Sequence, residues 1–188
     1  VPMRAEMQKY INLPVYIDND ANCAALAESV AGAAKGYENS ITITLGTGIG
    51  GGIVIGGKVY PGFNGAAAEV GHIVIDYQGK MCTCGRRGCW EAYGSATALI
   101  EQTQEAARQN PDSIINKLVD NDLSKVTAKT AFDAAKQGDK TGKEVVEKYI
   151  KYVAEGLIDL INIFTPEAIV IGGGVSKEGE YLLKPLRE

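Results

Sequence analysis

The chain's single histidine, His72, and three of its four cysteines, Cys82, Cys84 and Cys89, fall within 18 consecutive residues. The spacing is His72-x9-Cys82-x-Cys84-x4-Cys89, closing on the turn-forming run Cys84-Gly85-Arg86-Arg87-Gly88-Cys89. One imidazole and three thiolates complete a tetrahedral shell for Zn²⁺, as closed structural sites do. The spacing is not that of a zinc finger, so the ligands are expected from an irregular loop. The plainer alternative is free thiols beside an unrelated histidine, and the clustering favours the metal. Glu69 stands three residues before His72, and Glu91 two residues after Cys89. A metal clamp on the intervening loop would fix both carboxylates as acceptors for neighbouring hydroxyls of a sugar, because charge-assisted hydrogen bonds are about twice as strong as neutral ones. Without the clamp they would be two solvated glutamates.

Glycine supplies a second candidate. The run Gly46-Thr47-Gly48-Ile49-Gly50-Gly51-Gly52 has five glycines in seven residues, more than a hairpin requires. Successive N–H groups can then share one concavity, with the Thr47 hydroxyl as a further donor, so phosphate binding is expected. Gly46-x-Gly48-x-x-Gly51 also matches a dinucleotide fingerprint, but the following residues read as a strand where that motif needs a helix. Gly52-x4-Gly57-Lys58 resembles a P-loop, yet Val59 replaces the Ser or Thr that would hold Mg²⁺. Gly172-Gly173-Gly174 is either a strand-to-helix turn or a place where a flat ring lies close to bare backbone.

Alternating strands and helices position these groups. Short strands are expected at Pro14–Ile17, Ile41–Leu45, Ile53–Ile55, Lys58–Tyr60 and Ala168–Ile171. Asn19 or Asp20 caps a helix over Ala21–Ala34, in which Cys23 reads as a small buried residue. Helical segments follow at roughly 95–109, 111–119 and 128–137. A long helix over 142–164 carries Val146, Ile150, Val153, Leu157, Ile161 and Phe164 on one stripe. Strands alternating with helices imply an α/β fold.

At 188 residues and 45% hydrophobic, the chain can bury a sizeable core. Its net charge of −4 argues against a nucleic-acid surface. No apolar run reaches a membrane-spanning length, no signal peptide opens the chain, and clustered cysteines suit a reducing compartment, so a cytoplasmic enzyme domain is expected. The chain starts at Val1-Pro2 in a helical pattern and stops at Glu188 in another, as a piece of a longer protein would.

The order of the segments is more specific than any one of them. Asn19-Asp20-Ala21-Asn22, Leu45-Gly46-Thr47-Gly48-Ile49-Gly50-Gly51-Gly52, Gly62-x-Asn64-Gly65-Ala66-Ala67-Ala68-Glu69-Val70-Gly71-His72, Cys82-x-Cys84-Gly85-x-x-Gly88-Cys89-x-Glu91 and Ile171-Gly172-Gly173-Gly174 together resemble the ROK family of sugar kinases and repressors. Within the family the pattern looks most like bacterial glucokinases.

The resemblance implies a ribonuclease-H-like α/β fold of the actin and hexokinase superfamily, with an inserted zinc-binding loop. Residues 1–36 would be the C-terminal part of the small lobe with a linker helix, and residues 37–188 a large nucleotide- and sugar-binding lobe, truncated at its C-terminus. It implies ATP-dependent phosphorylation of a hexose, glucose first among glucose, mannose, N-acetylmannosamine and fructose, with ATP, Mg²⁺ and Zn²⁺ as cofactors. Asp20 would be the general base, although on local sequence a helix cap is its commoner role. Asn19, Asp20, Gly65, Glu69, His72 and Glu91 would bind sugar. Gly46, Thr47 and Gly48 would bind phosphate, and Gly172, Gly173 and Gly174 the adenosine. His72 would put one ring nitrogen on zinc and the other toward a sugar hydroxyl. The family's first phosphate loop, Asp-x-Gly-x-Thr/Ser-Lys, has no match here, so these 188 residues alone are expected to have little activity. The alternatives are the sugar-sensing part of a repressor of the same family, or a bare zinc-stabilised structural domain. No nucleic acid or membrane partner is expected for this segment, and a homodimer is expected of the whole protein.

Overall fold

The alternation in Ser40-Ile41-Thr42-Ile43-Thr44-Leu45 sorts one strand into two faces, and the layers follow from that sorting. In the computed structural model, which describes residues 1–188, this segment is β1 (Ser40–Leu45). β2 (Ile49–Ile55) folds back antiparallel on it and β3 (Lys58–Val59) extends the hairpin. β4 (Ala168–Gly172) pairs in parallel with the other side of β1, giving the order β3-β2-β1-β4.

Ile41, Ile43 and Leu45, with Ile49 and Ile53 across from them on β2, belong to the main core. The same core takes in Val146, Tyr149, Ile150, Val153, Leu157 and Leu160 of α7 (Lys140–Phe164). Leu99 of α4 (Ala96–Gln109) and Phe132 of α6 (Thr130–Lys136) join it. The opposite face of the sheet receives α2 (Asp20–Ala31). Its approach depends on two glycines that pair with Thr44 and Thr42. A Cβ on Gly50 would press on Thr44 Oγ1, and one on Gly52 on the Ala21 carbonyl and the Ala25 side chain. Between them Gly51, on the core side, leaves room for Val70. The remaining helices are α1 (Met3–Gln8), α3 (Glu91–Gly94), α5 (Ile114–Leu118) and α8 (Glu180–Arg187). No helix is long and apolar enough to cross a membrane.

Five sequence expectations need correction. Pro14–Ile17 forms no strand: these residues pair with no other segment, and Tyr16 and Ile17 are exposed. The helix expected to reach Ala34 ends at Ala31, because Gly32 leaves the helical conformation and Glu28 Oε2 accepts the Ala33 N–H at 2.7 Å. Cys23 is exposed, not buried. It lies two positions from both Ala21 and Ala25, about 200° round the helix from the face that packs on the sheet. The glycine run is not one loop: only Gly46-Thr47-Gly48 is a turn, and Gly50–Gly52 lie inside β2. Ile161 and Phe164, placed on the buried stripe of the long helix, are respectively exposed and half-buried.

One polar group fastens the helical layer. Asp139 caps α7, with Oδ2 accepting the Gly142 N–H at 2.7 Å and the Ser113 hydroxyl at 2.8 Å, while Oδ1 accepts the Ile114 N–H at 3.0 Å. Burial pushes this carboxyl up, but the bonds from Ile114, Gly142 and Ser113 outweigh it and hold it below the usual value. A carboxyl depressed on folding contributes stability above its unfolded pKa of about 3.9 and loses it as pH falls through the folded value. Asp139→Ala is therefore expected to cost about 1–3 kcal/mol at pH 7. Urea melts should show the gap between the two proteins constant above about pH 5 and shrinking below it.

Candidate functional site

Strand direction gathers the candidate residues at one end of the sheet. β1 runs toward Leu45, β4 runs parallel to it toward Gly172, and β2 starts from the same end at Ile49. Ala21 packs on Gly50 and Ala25 on Gly52, so α2 also begins at that end. The start of α2, the Gly46–Gly48 turn and the Gly172–Gly174 turn are thereby neighbours.

At the start of α2 the polar residues divide their work. Asn19 is the cap, its Oδ1 accepting the N–H groups of Ala21 at 2.8 Å and Asn22 at 3.3 Å. Its side-chain amide NH₂ is left for another partner. Asp18, which the sequence did not single out, accepts from Asn22 Nδ2 at 2.9 Å and from the Asn19 N–H at 2.7 Å. Those two bonds, the Asn22 one first, hold the Asp18 carboxyl below its ordinary value. Asp20 is the first helical residue and is exposed. Its Oδ1 lies 2.9 Å from the Ala21 N–H, and its other oxygen is unbonded within the chain. With capping assigned to Asn19, one oxygen of the Asp20 carboxylate is left without a partner in the chain.

The turn between β1 and β2 is closed by the Gly46 N–H donating to the Gly48 carbonyl at 3.0 Å. The N–H groups of Thr47 and Gly48 donate to no acceptor in the chain. Two adjacent unsatisfied peptide donors beside a hydroxyl form an anion-binding concavity. Across the sheet, Gly173 has φ +87 and lies against the backbone of Leu45, an approach no side chain would permit. Gly172 ends β4, and a Cβ on Gly174 would meet only open space.

His72, Cys82, Cys84 and Cys89 come together as the spacing suggests, with all their ligand atoms within 4.8 Å of one another. Cys82 Sγ lies 3.7 Å from His72 Nδ1, and Cys84 Sγ 3.6 Å from Cys89 Sγ. A tetrahedral ion with 2.3 Å bonds to sulfur spaces its sulfurs about 3.8 Å apart, so the donor set fits one. The Arg86 backbone N–H holds the Cys84 thiol below its usual value, whereas burial pushes the Cys89 thiol up to about 12. A cation is what would make three thiolates compatible with so close a cluster. The loop that carries them is irregular, tied by isolated bridges between Val74 and Cys89 and between Met81 and Arg87. Gly88, at φ +78, sits where a Cβ would run into the Asp76 carbonyl.

His72 presents Nδ1 to the cysteines and leaves Nε2 free. It ends a 3-10 turn whose Val70 packs on Gly51 and whose Gly71 lies against the Ile49 carbonyl, which fixes exposed Glu69 beside β2. Ala68, just before, holds φ +64, and exposed Gly65 holds φ +81. Glu91 bridges the two halves of the site. Its Oε2 accepts the Ile49 N–H at 3.0 Å, and its Oε1 lies 4.0 Å from Cys82 Sγ. A Cβ on Gly48 would strike this carboxylate. Trp90, between Cys89 and Glu91, was not read from the sequence as part of the site. It is fully buried, donates from Nε1 to the Tyr152 carbonyl at 2.8 Å, and lies on Gly156 of α7. A lone tryptophan beside Cys89 of the thiol cluster was the signal available for it.

Known proteins match the whole of this arrangement. The ROK family model covers residues 1–188. A glucokinase of Thermotoga maritima is 42% identical over 188 residues, which are 100% of this chain and 59% of that protein. A xylose repressor of Caldicellulosiruptor bescii is 35% identical over 188 residues, which are 100% of this chain and 47% of the repressor. Among solved structures, the ROK family glucokinase of Streptomyces griseus in complex with glucose and AMPPNP superposes with a TM-score of 0.90 at 40% identity, covering 99% of this chain and 60% of that one. The chain thus spans about 60% of the length of the glucokinases it matches. Its fold is the α/β sugar-kinase fold of the actin and hexokinase type, and the chain belongs to the ROK family.

Proposed function

We propose that the chain is the sugar- and nucleotide-binding part of an ATP-dependent hexose kinase, glucose being the first substrate to test. Residues 1–36 are assigned to the end of a small lobe with its linker helix, and residues 37–188 to the large lobe. The observation that carries the reading is the shared end of the sheet, where the unbonded oxygen of Asp20 lies near a turn with two free N–H groups. Glucokinase relatives and a glucose- and AMPPNP-bound neighbour support it.

In this reading Asp20 accepts the proton of the sugar hydroxyl as that oxygen attacks the γ-phosphorus of ATP. Glu69 and Glu91 accept hydrogen bonds from sugar hydroxyls. His72 Nε2 and the Asn19 amide donate to them, and Gly65 lets the backbone approach the ring. The Thr47 hydroxyl and the N–H groups of Thr47 and Gly48 hold phosphate oxygens, and the Gly172–Gly174 turn holds the adenosine. Phosphoryl transfer needs mainly positioning and charge neutralisation, and Mg²⁺ bound with ATP supplies part of the latter. His72, Cys82, Cys84 and Cys89 hold Zn²⁺, whose contribution is to order the loop between Glu69 and Glu91.

A sugar-sensing repressor is the second reading, because a xylose repressor also matches over the whole chain. The free carboxylate of Asp20 and the open turn favour the kinase. Coupled ADP-release assays on the whole protein with glucose, mannose, N-acetylmannosamine and fructose decide between them. Turnover with one hexose is expected, and sugar binding without turnover would favour the sensor.

Two further outcomes follow from the site. Asp20→Asn in the whole protein should leave sugar affinity nearly unchanged and lower kcat by about two to four orders of magnitude. Near-normal turnover would reduce Asp20 to a helix residue. Metal analysis should find one Zn²⁺ per chain, lost in Cys89→Ser and released as pH falls, since protons compete for the thiolates. A metal-free protein with intact fold and three titratable thiols in the loop would overturn the zinc assignment.

A further inference from the structure

We infer that Thr97, at the start of α4, is a positioning residue for the nucleotide phosphates: with the Ala96 N–H it orients the Gly46-Thr47-Gly48 turn. The inference rests on the kinase reading and adds a residue which that reading does not use.

Two bonds reach the turn from one helix end. The Thr97 hydroxyl donates to the Thr47 carbonyl at 2.8 Å, and the Ala96 N–H donates to the Gly46 carbonyl at 2.8 Å. A trans peptide is planar, and its C=O and N–H point in opposite directions. The Gly46 carbonyl shares its plane with the Thr47 N–H, and the Thr47 carbonyl shares its plane with the Gly48 N–H. Drawing both carbonyls onto α4 therefore turns both N–H groups away from α4, and these are the two donors left without an acceptor in the chain. The same two bonds that consume the acceptors aim the donors.

Apart from the Gly46 N–H on the Gly48 carbonyl, no other hydrogen bond holds the turn. A Cβ on Gly46 would touch nothing, and a glycine on each side of Thr47 leaves both peptide planes free to rotate. The start of α4 is by contrast firm. Ser95 is buried and caps the helix, its Oγ accepting the Ala98 N–H at 3.0 Å. Leu99 is fully buried, and the Gly94 carbonyl accepts the buried Tyr149 hydroxyl at 2.8 Å. With Ser95 as the cap, the Thr97 hydroxyl has no capping duty and is spent on Thr47. Thr97, Thr47 and Glu91 line one small cavity, so the brace stands at the site itself.

The test uses the whole protein. Thr97→Val removes the hydroxyl and keeps the shape at an exposed position, with the Ser95 cap untouched. The KM for ATP should rise about threefold to tenfold, the range that one net hydrogen bond spans. Affinity for AMPPNP, measured by calorimetry, should fall by the same factor. The KM for glucose and the melting temperature should stay near wild type, and Thr97→Ser should restore the wild-type constants. An AMPPNP affinity within twofold of wild type overturns the inference. So do equal rises in both KM values, or a Thr97→Ser protein as impaired as Thr97→Val. A wild-type protein that binds AMPPNP but phosphorylates no hexose overturns the kinase reading, while the AMPPNP comparison still decides the role of Thr97. A wild type that does not bind AMPPNP overturns both.

Discussion

Trp90 is fully buried against α7, with its indole N–H on the Tyr152 carbonyl at 2.8 Å and its ring on the bare backbone of Gly156. Burying a tryptophan removes roughly 200 Å² from water, worth on the order of 5 kcal/mol at about 25 cal/mol per Å². Few residues of an irregular loop can be anchored so strongly. The anchor matters because of what adjoins it along the chain. Cys89 on one side belongs to the thiol cluster, and Glu91 on the other accepts the Ile49 N–H. Four residues further, Ser95 begins the helix that braces the Gly46–Gly48 turn. The cysteine loop, the Glu91 carboxylate and the Gly46–Gly48 turn therefore share one fixed point on the longest helix.

Chemistry was legible in the sequence where it lay in local spacing, and illegible where it depended on a distant neighbour. The four metal-type ligands could be grouped because they sit within one loop, and the structure brings them within 4.8 Å. The alternation of β1 and the length of α7 were equally plain. The glycines of β2 were not. Gly50, Gly51 and Gly52 are small because α2 and Val70 press on them from the two faces of the sheet, and nothing local announces that. Cys23 misled for the complementary reason: an alanine-rich helix looks buried all round, yet only the side bearing Ala21 and Ala25 meets the sheet. Pro14–Ile17 has a strand's composition, but a strand exists only as half of a pair, and this segment has none here.

The parallel pairing of β1 with β4 does for the two glycine turns what Trp90 does for the cysteine loop. Parallel neighbours end together, so the turns that follow both strands, at Gly46 and at Gly172, fall on the same edge. A long helix is the ordinary means of returning the chain for a parallel pair, and α7 serves that purpose while also carrying the core. The topology thus brings two glycine turns, more than 120 residues apart in the chain, to the same end of the sheet. Their conformations differ because their tasks differ. Gly173 needs φ +87 to lie on Leu45, whereas Gly48 has no positive φ and needs only the absence of bulk against the Glu91 carboxylate.

The histidine also has a direction to its chemistry. His72 turns Nδ1 toward Cys82, so in the zinc-bound form proposed above the neutral ring carries its proton on Nε2. A ring in that state can only donate at Nε2, and it cannot switch to the other tautomer while the metal holds Nδ1. The carboxylates of Glu69 and Glu91 can only accept. Sugar hydroxyls do both, and a row of them can be satisfied along its length only where fixed donors and fixed acceptors alternate correctly. Binding the histidine to the metal would thus convert an ambivalent side chain into a fixed donor between two fixed acceptors. In the proposed site the metal would contribute to sugar recognition by removing a tautomer as well as by holding the loop. A solvent-exposed histidine at the same position would admit both arrangements and discriminate less between hydroxyl patterns.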